Sequence, residues 1–512
     1  MSQRQTVVIG LDGAHFELLR PWIEDGKLPN IASIIDDGTA ADLCSVLPPV
    51  TSPNWKAYLT GKNPSKFGIF WWENIDTDNR RVYYPSHRKN EQTEYWERIA
   101  EDASVGVVNV PTTYPPKSVD NACVVAGAPD GENTGFSTPE SLEAELVDKF
   151  DYTVTTKNRM ETKPDATVDE ILDRIDSRFK VAKHLLETRD LDFLQVTTFY
   201  INTLHHFLWD DETTLEAWRA IDAHIGDLRS GDRNVVLMSD HGSTEIETVF
   251  NINAWLEQEG FLTLKRDVSD FMYRLGLTTN RVEQFVDALG LRNLAFKLAP
   301  ERLKRKVPDE QGEVHKGAKT DRVDWDESVA LASGQGPVYL LLDPSTSEYD
   351  RVRSHIVEQL TAVRGPNGEK VCNDVLVKEE YYSGPYENEA PDIIIDQREG
   401  VHIRGGIGND NIFADPENEG WRAENKRRGL FAACGPDFTS EAVDPMSILD
   451  LAPTLLHLYG KDIPTAMDGT VRSDVFAADS SITDTPIEYR DSDERDAEIR
   501  RIRRIARSLD DY

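Results

Sequence analysis

The feature that most constrains this chain is a set of short, unbroken apolar runs, each closed by polar residues. Val7–Leu11 ends in Asp12-Gly13, and Val235–Met238 ends in Ser239-Asp240-His241-Gly242. Val105–Val110 and Phe193–Thr198 have the same character. Runs of this length without alternation read as strands buried on both faces, which is the signature of a parallel sheet covered by helices. The intervening segments supply those helices. Asn30–Ile35 and Asn54–Leu59 read as short ones, and Ile171, Leu172, Ile175, Phe179, Ala182, Leu185 and Leu186 recur at helical spacing. Leu215, Trp218, Ile221 and Ile225 do the same. The expected class is α/β, with a mainly parallel central sheet flanked by helices on both faces.

In such sheets the chemistry sits at the carboxyl ends of the strands. Three clusters occupy such places or helix starts: Asp12 in IGLDG, Thr51 in PPVTSPNW, and Asp240-His241 in VVLMSDHG. Two carboxylates, an imidazole and a hydroxyl are the oxygen and nitrogen donors that a four-coordinate zinc site accepts. A hydroxyl beside such an ion becomes a competent nucleophile near neutral pH. Each cluster also has a bland reading. Asp12-Gly13 and Asp240-His241-Gly242 make turns, and Ser52-Pro53 makes a helix N-cap followed by proline at the first helical position.

The pattern shifts between 262 and 328, where short helical pieces carry the basic cluster Arg302, Lys304, Arg305 and Lys306. The expected organisation is a first part of a catalytic core at 1–261, an inserted cap-like helical region at 262–328, and a second core part at 329–479. A charged linker and C-terminal helix follow at 480–512. Strands at Val338–Leu342 and Ile393–Ile395 and a helix at Tyr349–Val363 belong to the second core part in this reading.

Asp and Glu number 91 against 57 Lys and Arg, a net charge of −34, so the field of the protein repels phosphate backbones and anionic membrane surfaces. Nucleic-acid polymers and membranes are therefore excluded as main partners, and an anionic substrate needs a local positive device. Acidic residues spread along the whole chain fit a protein adapted to high salt, where screening makes self-repulsion tolerable. The four cysteines are far apart and form no CxxC pair, and no apolar run reaches signal-peptide or membrane-span length. A soluble cytoplasmic protein is expected.

The run from TVVIGLDG through GKLPNIASIIDDG to PPVTSPNWKAYLTGKNPS resembles the alkaline phosphatase superfamily. Within it, the likeness is to the type I phosphodiesterase/nucleotide pyrophosphatase branch and its archaeal phosphohydrolase/phosphomutase-like group. NVPTTYPP, VVLMSDHG, APDIII and ILDLAPTLLHLYG agree. The resemblance implies an alkaline-phosphatase-like fold and two adjacent metal ions, typically zinc. It places Asp12, Thr51, Asp240 and His241 at the first ion, with Thr51 as nucleophile and a phosphothreonine intermediate, and Asn54 as donor to a substrate oxygen. The second ion is normally held by an Asp, a His four residues later and a late His. His206 matches the middle one, but Asn202 and Asn425 stand at the other two. Neutral amides bind borderline metals poorly, so one zinc, or another divalent cation, is expected, with the second site empty or weak. Asn54, Asn202, Asn425 and Lys426 are the candidate substrate contacts, Lys426 as a fixed charge, while His205 reads as structural.

The resulting expectation is a hydrolase of phosphodiesters or nucleotide-like pyrophosphates acting on a small anionic ester. Two alternatives stand beside it: a one-metal sulfatase-like or phosphotransfer enzyme, and a binding protein of the same fold that has lost its chemistry.

Overall fold

The computed structural model describes residues 4–229, 232–265, 322–416 and 420–491. The chain forms two compact units. One comprises Met1–Ile69, Ser86–Glu245 and Gly420–Tyr512, and the other Phe70–Pro85 with Ile246–Glu419.

The first unit is built on a nine-stranded sheet. At its centre Thr6–Leu11 lies between Asn234–Met238 and Phe193–Thr198, parallel to both, and Val105–Val110 and Ala122–Ala126 continue the parallel run. All four expected strands are present. Period-2 alternation divides their side chains between two cores. Val7, Ile9, Leu11, Leu194, Val196, Val235 and Leu237 pack on one face with Ile171, Phe179, Trp218 and Ile225 of two long helices, Pro164–Thr188 and Glu212–Leu228. Val8, Phe193, Val236 and Met238 pack on the other with Trp55, Tyr58 and Leu455. Each fully buried aliphatic side chain contributes about 1.5–3 kcal/mol, so a one-residue slip in any central strand would exchange two cores at once. The sheet is mainly parallel with helices on both faces, as the apolar runs require.

Other strands of this sheet, among them Thr39–Cys44, Ala122–Ala126 and Arg428–Cys434, were not read from the sequence. Arg428–Cys434 runs antiparallel between Asn234–Met238 and Thr39–Cys44. It therefore begins where its parallel neighbours end. The carboxyl edge of the sheet gathers Asp12, the helix Tyr200–Leu208, Asp240-His241, the loop 45–50 leading from Thr39–Cys44, and the strand Ala423–Lys426.

In the second unit the strands Ala330–Ala332, Pro337–Leu340, Ile393–Gln397 and Cys372–Val377 form their own antiparallel sheet, with Ile356 and Leu360 of the helix Ser347–Ala362 in the core beneath. The strands expected at 338–342 and 393–395 belong here and do not extend the large sheet. Short apolar runs do not reveal which sheet they join. Most of the expected cap at 262–328, with its basic cluster, and the expected C-terminal helix lie outside the described residues. Among the described residues no helix is long and apolar enough to cross a membrane.

Candidate active site

Thr51 is the first residue of the helix Thr51–Thr60, whose ten residues are all buried. The residue before it, Val50, offers no side-chain cap, so the first-turn amides and the positive end of the helix dipole remain for another partner. Ser52 is therefore not the N-cap; its hydroxyl is buried and makes no hydrogen bond among the described residues. Asn54 holds the preceding loop. Its Oδ1 accepts from Val46 N at 2.8 Å, and its Nδ2 donates to the carbonyls of Pro48 and Val50, each at 3.0 Å. Those bonds occupy the amide expected to contact substrate, and they make Asn54 a positioning residue for Thr51.

Asp12 follows the central strand. Its Oδ2 accepts from the indole Nε1 of Trp55 at 2.9 Å, and its Oδ1 is buried with no hydrogen-bond partner in normal geometry among the described residues. Asp240 Oδ1 accepts from Gly13 N at 3.3 Å, while Asp240 Oδ2 is likewise buried and makes no hydrogen bond among the described residues. Burial pushes both carboxyls well above the usual carboxylate range, and Asp12 adds to the shift of Asp240. His241 is held neutral by burial, its pKa down to about 3. Its Nδ1 lies 2.9 Å from the Gly242 carbonyl, an atom that only accepts, so Nδ1 carries the proton and Nε2 presents its lone pair. That lone pair stands 3.2 Å from Asp240 Oδ2, 3.6 Å from Asp12 Oδ1 and 3.3 Å from Thr51 Oγ1.

Ligand atoms of Asp12, Asp240 and His241 thus lie within 4.8 Å of one another. A lone pair and two orphaned carboxylate oxygens converging out of water repel unless positive charge lies among them. The donor set fits a borderline divalent cation of the zinc type. Thr51 is within reach of the same point.

On the other side of Asp12 stand Asn202 and His206, one helical turn apart on Tyr200–Leu208. Asn202 Nδ2 lies 3.2 Å from His206 Nε2, and His206 Nδ1 lies 2.8 Å from the Ala423 carbonyl. Trp421 stacks on the His206 ring at 4.1 Å between centroids. Asn425 is in register with Ser243, whose hydroxyl contacts Asn202 Oδ1 at 3.2 Å. All three residues matched to the second ion are therefore gathered at this edge. Lys426 is buried but forms an ion pair with the exposed Glu17. His402 lies on the strand Val401–Arg404 of the second unit.

Sequence reasoning missed Trp55, Ser243 and His15. Trp55 was legible as the residue four after Thr51, on the same helical face. Ser243 gave no signal. His15, three residues after Asp12, caps the helix Phe16–Glu24 through Nδ1, while its buried Nε2 makes no hydrogen bond among the described residues.

The family model for type I phosphodiesterase / nucleotide pyrophosphatase matches residues 6–425. Similar solved structures include murine and human ectonucleotide pyrophosphatase/phosphodiesterase 5. Each aligns over 93% of this chain and 100% of the other at 14% identity, with a TM-score of 0.49. The match over residues 6–425 carries the conclusion: this chain belongs to the type I phosphodiesterase/nucleotide pyrophosphatase family of the alkaline phosphatase superfamily.

Proposed function

We propose that the chain is a metal-dependent hydrolase of phosphate esters, of phosphodiester or nucleotide-pyrophosphate type, in which the Thr51 hydroxyl attacks phosphorus. The observation that carries this reading is the convergence of Thr51 Oγ1, His241 Nε2 and the orphaned oxygens of Asp12 and Asp240 at one buried point. A divalent cation held by Asp12, Asp240 and His241 would lower the pKa of the Thr51 hydroxyl and polarise a phosphoryl oxygen. The chain's own residues do the rest. Asn54 fixes the loop that delivers Thr51, and Trp55 orients Asp12. The Gly242 carbonyl fixes the tautomer of His241. The uncapped first turn of Thr51–Thr60 presents positive partial charge to the equatorial oxygens. The Thr51 Oγ–P bond forms as the ester P–O bond breaks, the leaving oxygen takes up a proton, and water later cleaves the phosphothreonine.

The substrate in this reading is a small anionic ester, because a net charge of −34 disfavours polyanions and anionic membranes. Four cysteines without a bond to one another support a cytoplasmic placement, and the dispersed acidic charge supports adaptation to salt. Turnover of a bis-aryl phosphate tests the nucleophile. Thr51→Ala is expected to abolish it with the fold intact, and unchanged turnover would sink the assignment. Comparing aryl sulfate, monoester and diester, with and without an acceptor alcohol, separates hydrolysis from the sulfatase-like and transfer alternatives. A binding protein would turn over none of them.

A further inference from the structure

The residues at the second ion's position do not fit a cation, and their hydrogen bonds show what stands there instead. Direction can be assigned link by link from the two ends. The indole of Trp218 can only donate, and its Nε1 lies 3.0 Å from His205 Nε2, so His205 carries its proton on Nδ1. His205 Nδ1 lies 3.3 Å from Ser243 Oγ, which therefore accepts. Ser243 has one proton for two acceptors, the Gly13 carbonyl at 2.8 Å and Asn202 Oδ1 at 3.2 Å. At the far end the Ala423 carbonyl can only accept, so His206 is protonated on Nδ1 and its Nε2 is a lone pair. The atom facing that lone pair at 3.2 Å is Asn202 Nδ2, a donor.

Donation runs from Trp218 through His205 to Ser243, and from Asn202 through His206 to Ala423; Ser243 Oγ joins the two runs, its one proton shared between the Gly13 carbonyl and Asn202 Oδ1. Five of these residues (Trp218, His205, Ser243, Asn202 and His206) are buried to 9% exposure or less. Rotating the Asn202 amide would set its oxygen against the His206 lone pair. A cation on His206 Nε2 would displace the Asn202 N–H from the acceptor it has there, in a buried place where losing a hydrogen-bond partner costs about 1–3 kcal/mol. Gly13 is part of the arrangement. A Cβ there would stand 2.3 Å from Asn202 Oδ1, so the amide is seated directly on the turn that carries Asp12.

We infer that this chain binds a single divalent cation, and that a directed hydrogen-bond chain through the Asn202 amide closes the position of the second. The inference rests on the metal-site reading of Asp12, Asp240 and His241, and deepens it.

The test is zinc stoichiometry of the full-length protein after equilibrium dialysis, measured by elemental mass spectrometry. One ion per chain is expected, lost in Asp240→Asn and retained in His206→Ala. A second tight ion that disappears in His206→Ala would overturn the inference. Asn202→Asp with Asn425→His should gain one ion over the parent, and His206→Ala on that background should remove it. Failure of the folded double variant to gain an ion would also overturn it. Nitrogen-15 spectra of the histidines give a readout independent of activity. Saturating zinc should shift His241 and leave His206 with its lone pair on Nε2; a shift of His206 Nε2 would contradict the proposal. A parent that binds no ion would refute the metal reading of the first site, and the gain in the double variant would still decide this one.

Discussion

Trp55→Phe tests whether the site is held together from behind. The indole is fully buried and donates to Asp12 Oδ2 at 2.9 Å, the largest hydrogen-bond contribution to that carboxyl among the described residues. This bond favours the charged form of Asp12 against the burial that disfavours it. Removing the N–H takes away the largest of the hydrogen-bond contributions that favour the charged carboxyl, ahead of those from Asn202 and Thr51, so Asp12 holds its proton more tightly and the proton competes with the cation. A hydrogen bond to a charged group is worth about 1.5–3 kcal/mol. Loss of a residue that orients a metal ligand typically weakens metal affinity by about 10- to 100-fold. The shorter ring also leaves a void where the indole abuts Gly10, costing on the order of 1 kcal/mol of stability. The assay is zinc affinity by competition with a chromogenic chelator at neutral pH, alongside urea unfolding of the metal-free protein. A loss of stability with zinc affinity within twofold of the parent would refute the reasoning and leave Trp55 a packing residue only.

Three other outcomes follow from named contacts. Gly13→Ala should destabilise the protein by more than about 1 kcal/mol in urea unfolding, because φ is +71° and the new Cβ would meet Asn202 Oδ1 and Ser243 Oγ; wild-type stability would contradict the geometry. Glu17→Gln removes the ion pair of Lys426 with Glu17, and on the proposal that Lys426 is a fixed charge for the substrate it should lower the KM for a diester several-fold with kcat nearly unchanged; an unchanged KM would place Lys426 away from the substrate. Glu94 tests the pH dependence. Burial alone would raise this carboxyl, but Lys117, Lys56 and the Trp96 indole outweigh it and hold the pKa below 4.5. Its stabilisation is therefore present above pH 4.5 and lost as pH falls through the lower native value. Glu94→Gln should cost up to about 3–5 kcal/mol at pH 7 by breaking the buried pair with Lys56, and the gap from wild type should narrow in acid. An equal gap at both pH values would refute this.

The sequence by itself determined four strands of the large sheet and what closes them. Unbroken apolar runs can satisfy burial on both faces only as central strands, so Asp12, Asp240 and His241 had to emerge at strand ends, and Thr51 at a helix start. The resemblance supplied their roles, and Asn202 and Asn425 were legible as departures from a ligand set. What tertiary structure decided is everything that depends on which strands are neighbours. The order Asn234–Met238, Thr6–Leu11, Phe193–Thr198 places Asp12 between Asp240-His241 on one side and Asn202-His206 on the other. No local pattern encodes that order. The antiparallel strand Arg428–Cys434 brings the segment carrying Asn425 and Lys426 to the same edge from far along the chain. Contacts also reassigned individual residues. Lys426 is engaged by Glu17 and Asn54 by the loop before Thr51, while the bonds of His205 to Trp218 and Ser243 agree with its reading as structural. A side chain's type is local information, but its hydrogen-bond partners are long-range neighbours, and in a buried site the partners decide whether an amide meets a substrate, a backbone carbonyl or the lone pair of a histidine.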